Sequence, residues 1–101
     1  MKLAKFFQSN LDFVEKTDLN LREVAMLQLI YIHAENGTHL NVTTAMDTEY
    51  IGSPASLHRY IDALLEKNMV ETFTVGKSRR TKFLRPTNAA YKKIKKIFGG
   101  V

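Results

Sequence analysis

The chain has no cysteine, no tryptophan and only two prolines in 101 residues. Without cysteine there is no disulfide, no thiolate nucleophile and no thiolate-bound structural zinc, a composition that fits a reducing, cytoplasmic setting. No run approaches the roughly 20 apolar residues that span a bilayer, so no membrane partner is expected. Met1 to Phe7 opens like a secretory signal, but Gln8, Ser9, Asn10 and Asp12 break the apolar run far too early. No Gly-rich phosphate loop is present, and Gly99-Gly100 reads as a frayed end. Repeats, low-complexity tracts and linkers are absent too, which predicts one domain over 1–101. A chain of this length closes one modest core but not a core plus an elaborate cofactor cleft.

Acids are the most informative absence. From Thr72 onward there is no Asp or Glu, but nine cations: Lys77, Arg79, Arg80, Lys82, Arg85, Lys92, Lys93, Lys95 and Lys96. The first 71 residues hold all ten acids against the remaining six cations. A net charge of +5 is therefore polarised along the chain, which implies a basic surface with a polyanionic partner.

What is present is apolar periodicity with clear punctuation. Leu3, Phe6, Phe7, Leu11 and Val14 recur at helical spacing over about 2–15. Asn20 with Glu23 predicts a capping box opening a helix that buries Leu21, Val24, Leu27, Leu29 or Ile30, and Tyr31, and stops at Asn36-Gly37. Leu40-Asn41-Val42 reads as a short edge strand, and Thr43 as the cap of a short helix holding Ala45, Met46 and Tyr50, with Ile51 packed in the turn after it. Ser53 is a good N-cap and Pro54 suits the first helical position, where its missing N–H costs nothing. The helix they open carries Leu57, Ile61, Leu64 and Leu65 on one face and ends near Asn68. Met69 to Val75 predicts a strand, Gly76 to Ser78 a turn, and Arg80 to Arg85 the returning strand. Pro86 ends that strand, Thr87 caps a last helix, and Ala90, Ile94 and Ile97 or Phe98 form its apolar stripe.

The order α-α-(β)-α-α-β-β-α predicts a mainly helical fold with a small β-hairpin, a winged helix-turn-helix. Its three-helix core carries a two- or three-stranded wing over 20–86, with an N-terminal helix in 1–19 and a C-terminal helix in 87–101. Residues 40–90 resemble the MarR-like winged-helix transcriptional regulators. The resemblance lies in Ile51 to Arg59, Ile61 to Leu64, Lys67 to Glu71, and the Leu84-Arg85-Pro86-Thr87 passage from strand to helix. It implies double-stranded DNA as partner. It departs from the family in the wing, where Lys77 and Ser78 stand in place of an Asp that braces the following Arg. The chain is also shorter than typical members, and no small-molecule effector is implied by its residues.

With Leu57, Ile61 and Leu64 facing the core, Ser53, Pro54, Ala55, Ser56, His58 and Arg59 occupy the outward side of the helix over about 53–67. Such an N-terminal set is what helix-turn-helix proteins place in the major groove. Arg59 suits guanine, His58 and Ser56 a base edge or phosphate, and Pro54 or Ala55 a thymine methyl. In the wing over 75–82, Lys77, Ser78, Arg79, Arg80 and Lys82 are suited to phosphates or a minor groove. The lysines at 92, 93, 95 and 96 read chiefly as the solvent face of the last helix, and the aromatics as packing. Apolar faces on helices 2–15 and 88–98 predict a symmetric homodimer, which spaces two recognition helices for a palindrome.

Two other readings stay open. Asp47 and Glu49 beside the outward face, with the acidic first part of the chain, are compatible with a protein-docking winged helix. The cation excess is compatible with a nonspecific architectural DNA binder. Enzyme chemistry and bound metal or cofactor are not expected. His33 and His39 share no helical register, and Ser53 or Ser56 with His58 lies too close along one helix to hold a substrate.

Overall fold

The computed structural model describes residues 2–45, 51–76 and 78–99, the side chains of 78–80 excepted. Among the described residues, five helices and three strands follow in the predicted order: α1 (Lys2–Thr17), α2 (Leu21–Glu35), β1 (Leu40–Asn41), α3 (Val42–Ala45), α4 (Pro54–Glu66), β2 (Val70–Val75), β3 (Ser78–Pro86) and α5 (Asn88–Phe98). Met46 and Tyr50, predicted to continue the short third helix, and Asp47, Glu49, Lys77 and Gly100 lie outside the described residues.

The caps explain most of the boundaries. Asn20 accepts from the Glu23 N–H at 2.8 Å while the Glu23 carboxylate accepts from the Asn20 N–H at 2.9 Å, so two orphan donors of α2 are satisfied reciprocally. α2 ends at Asn36, and Gly37 (φ 72°) turns the chain in the left-handed region that glycine enters without penalty. The predicted cap of α3 is corrected. Asn41, not Thr43, starts it, accepting the Thr44 N–H at 2.7 Å while the Thr44 hydroxyl faces the Asn41 N–H at 3.2 Å. The two side chains answer each other across three residues and so satisfy two backbone donors at once. Ser53 and Thr87 cap α4 and α5 as predicted.

β1, β3 and β2 form one antiparallel sheet in that order, so the wing is three-stranded and β3 is its middle strand. Leu40 pairs with Leu84, and Val75 pairs with Ser78. The hairpin turn is therefore tighter than predicted: Ser78 belongs to β3, and Gly76 (φ 65°) supplies the positive φ that a two-residue hairpin turn requires.

The core gathers Phe13, Val24, Met26, Leu27, Ile30, Leu57, Ile61, Leu64, Leu84, Ala90 and Ile94. α2 lies at its centre, packed on α1, α4 and β3. That two-sided cover buries Met26, which no single apolar stripe singles out, and leaves Leu21, predicted inside, 48% exposed. Leu65, also predicted to face inward, is 38% exposed because the face of α4 turned to the core is the narrower row Leu57, Ile61 and Leu64. On α1 the buried residues are Ser9 and Phe13, whereas of the predicted stripe Leu3 and Phe7 stay largely in solvent and Phe6 and Leu11 are only partly covered. Phe6 and Phe13 nevertheless stack on Phe98 of α5 at 5.8 and 5.6 Å, which fastens the two terminal helices together. An apolar hollow of about 300 Å³ remains between α1, α2 and α5, lined by Phe6, Phe13, Tyr31, Ile32 and Phe98 among others. Tyr91 of α5 lies 5.4 Å from Tyr31, and burial, with the Glu35 carboxylate and Tyr31 beside it, pushes its phenol above the ordinary 10.

Candidate nucleic-acid interface

The base of the candidate site is set by contacts remote in sequence. The Arg22 guanidinium of α2 donates to the Ile51 carbonyl, fixing the turn that leads into α4. Gly52 follows, where a Cβ would meet the Tyr60 ring at 3.2 Å and the Ser56 Cβ at 3.4 Å, so the turn packs closely over the first turns of α4. At the other end of α4, Asn68 (φ 59°) reverses the chain into β2. The buried Thr87 hydroxyl donates to the Asn68 carbonyl at 2.7 Å and accepts the Ala90 N–H at 3.1 Å. One side chain thus holds the α4–β2 corner and the start of α5 together. Neither Arg22 nor Thr87 in this bridging role was legible in the sequence, because each partner lies 19 or more positions away.

The outward side of α4 begins with a small hydroxyl network. Ser53 accepts the Ser56 N–H at 3.3 Å as the helix cap, and its own hydroxyl donates to Ser56 Oγ at 3.1 Å. The Arg59 guanidinium donates through Nη2 to that same Ser56 Oγ at 3.2 Å. Ser53, Ser56 and Arg59 are therefore brought together, with Ser56 half-buried between two exposed residues. Pro54, Ala55 and His58 are exposed on the same helix, as predicted.

On the wing, Lys82 is exposed on β3. The backbone of Ser78, Arg79 and Arg80 runs in β3, while their side chains, and all of Lys77, lie outside the described residues. The sheet face turned away from Leu84 is clad by aromatics: Phe73 meets Phe83 at 5.7 Å and His39 edge-on at 4.7 Å. Arg85 sits 4.6 Å over the Phe73 ring and 3.4 Å from the Glu71 carboxylate, its cross-strand neighbour. The exposed ion pair contributes little alone, but the cation over the ring and the aromatic cladding stiffen the root of the wing. Phe73 and Arg85 were not singled out for this; strict alternation in β2 and β3 is the signal that places them together.

Among the described residues, no three His, Asp or Glu side chains converge as a metal site, and no helix is long and apolar enough to cross a membrane.

No family model and no curated protein matches the sequence. Among solved structures, MepR of S. aureus in complex with DNA superposes with a TM-score of 0.71 at 15% identity, covering 99% of this chain and 81% of that one. The adhesin competence repressor AdcR of Streptococcus pyogenes superposes with a TM-score of 0.60 at 17% identity, covering 98% and 69%. Both are MarR-family winged-helix regulators, and this chain has their fold: a helical body, a helix-turn-helix and a three-stranded wing.

Proposed function

We propose that this chain is a small transcriptional regulator, a single cytoplasmic domain that binds specific double-stranded DNA sequences as a homodimer. α4 enters the major groove with Ser53, Pro54, Ala55, Ser56, His58 and Arg59, and the wing sets Lys77, Ser78, Arg79, Arg80 and Lys82 on phosphates or a minor groove. The observation that carries this reading is the two-sided character of α4. Leu57, Ile61 and Leu64 are locked in the core, while the opposite side of its first two turns offers Arg59, His58 and small residues to solvent. The chain then passes into a hairpin that, beyond Glu71, holds cations and no acid. The DNA complex of MepR, which shares the fold, supports the same reading. Affinity comes mostly from counterion release at phosphates, and preference among sequences from α4.

Enrichment from a random duplex library at two salt concentrations tests this. A palindromic motif bound well above bulk DNA is the expected result. Salt-sensitive binding without a motif would instead indicate an architectural role, and no binding at low salt a protein-docking module. Arg59→Ala is expected to relax preference at one or two base pairs, at a cost of about 1–3 kcal/mol, while binding to unrelated duplexes is little changed. Competition binding with single-base variants of the enriched site measures this.

The homodimer is proposed to form through α1 and α5. Leu3, Phe7 and Leu11 stand four residues apart along one side of α1, with Leu3 66% and Phe7 56% exposed. An apolar row of this kind, beside the open hollow against α5, is what a symmetric partner covers. Leu3→Glu with Phe7→Glu should convert the dimer to monomer in sedimentation equilibrium. The variant should also bind a full palindrome no better than a half-site.

A further inference from the structure

The hydroxyl network at the start of α4 has a direction. A serine hydroxyl offers one donor and two acceptor lone pairs. Both lone pairs of Ser56 Oγ are taken, one by the Ser53 hydroxyl at 3.1 Å and the other by Arg59 Nη2 at 3.2 Å. What Ser56 has left is its own O–H. Arg59 has five N–H donors and uses one of them here. The side-chain surface formed by Ser56 and Arg59 thus offers donors and no free acceptor.

Major-groove edges differ in how they meet such a surface. Guanine presents two acceptors, N7 and O6. Adenine pairs its N7 with an amino donor, cytosine presents a donor, and thymine has one acceptor beside a methyl group. Only guanine meets adjacent donors without opposing one of them. An exposed arginine on a helix has many rotamers and is equally served by a phosphate. Anchoring Nη2 to a half-buried hydroxyl one turn back removes part of that freedom.

We infer that Ser56 is a specificity-determining residue: held by Ser53, it positions Arg59 and adds its own O–H so that the pair selects guanine. The inference rests on the DNA-binding reading of α4 above. Ser53 does two jobs in this arrangement, since its oxygen caps the helix through the Ser56 N–H while its proton orients the Ser56 hydroxyl. The sequence alone shows only a capping serine and an arginine three residues beyond a second serine.

The test uses Ser56→Ala and Ser56→Thr in the full chain. The helix cap runs through the backbone N–H of residue 56, so Ser56→Ala leaves it in place. Thermal melting confirms that both variants fold. Affinities are measured for the enriched duplex, for the same duplex with each guanine changed to adenine or 7-deazaguanine, and for an unrelated duplex. Wild type is expected to lose roughly tenfold or more at one guanine position. Ser56→Ala should lose most of that discrimination, and Ser56→Thr should keep it. If Ser56→Ala ranks the duplexes as wild type does, or if no guanine change matters to wild type, the inference is overturned while the DNA-binding reading stands. If wild type binds no duplex at all, both fall together.

Discussion

Reversing both wing arginines, Arg79→Glu with Arg80→Glu, should weaken binding to every duplex and flatten its dependence on salt. Each phosphate neutralised by a cation contributes a slope of ~0.9 in log affinity against log salt. Losing two such contacts therefore removes roughly 60-fold in affinity near 0.1 M monovalent salt and makes the slope shallower by about 1.8. Repulsion from the new carboxylates adds to the loss. Because phosphates carry no base identity, the enriched site and bulk DNA should weaken in parallel, leaving their ratio near the wild-type value. Fluorescence anisotropy over a salt series gives both numbers. A variant that loses the enriched site alone would assign the wing to base reading, and one that loses nothing would remove it from the interface.

Leu57→Ala should destabilise the fold by about 2–5 kcal/mol. Leu57 is fully buried at the N-terminal end of the α4 face that packs on the body, with Ile61 and Leu64 following at helical spacing. A chain of this size has a total stability of about 5–15 kcal/mol, so the midpoint of thermal unfolding should fall by roughly 10–30 °C. The cavity also loosens the helix that carries Arg59, so sequence preference should decline before the protein unfolds. Leu65→Ala on the same helix is the internal control. Its side chain is 38% exposed, and its cost should stay below about 1 kcal/mol. Equal losses in the two variants would show that the packed face of α4 is wider than the row of three residues.

The local elements of this protein were written in its sequence because they depend on neighbours within about four residues. The capping box of Asn20 and Glu23, the Ser53-Pro54 start of α4, the Thr87 cap and the glycine turn at Gly76 are decided by short-range hydrogen bonds and backbone preference. The outward set on α4 was legible for the same reason: once Leu57, Ile61 and Leu64 face the core, helical geometry puts Pro54, Ala55, His58 and Arg59 on the outside. The concentration of cations after Thr72 needed only counting.

Where several elements compete for one residue, only the tertiary structure decided. Met26 is buried because α2 is covered from two sides, and Leu21 and Leu65 are not, although all three suit an apolar face equally. α1 turns Phe13 inward and leaves Leu3 and Phe7 out, because α5 meets it along the Phe6, Phe13 and Phe98 contact. Arg22 reaches the Ile51 carbonyl and Thr87 the Asn68 carbonyl across gaps that no periodicity spans. The Ser53–Ser56–Arg59 network is local in sequence, but that the Ser53 hydroxyl and the Arg59 guanidinium both meet Ser56 Oγ is seen only in the structure. The sequence by itself determined the kind of surface that α4 exposes, small residues with His58 and Arg59, and the cations that follow it. The packed fold decided how that surface is mounted, because the Arg22–Ile51 and Thr87–Asn68 contacts join elements that meet only after folding.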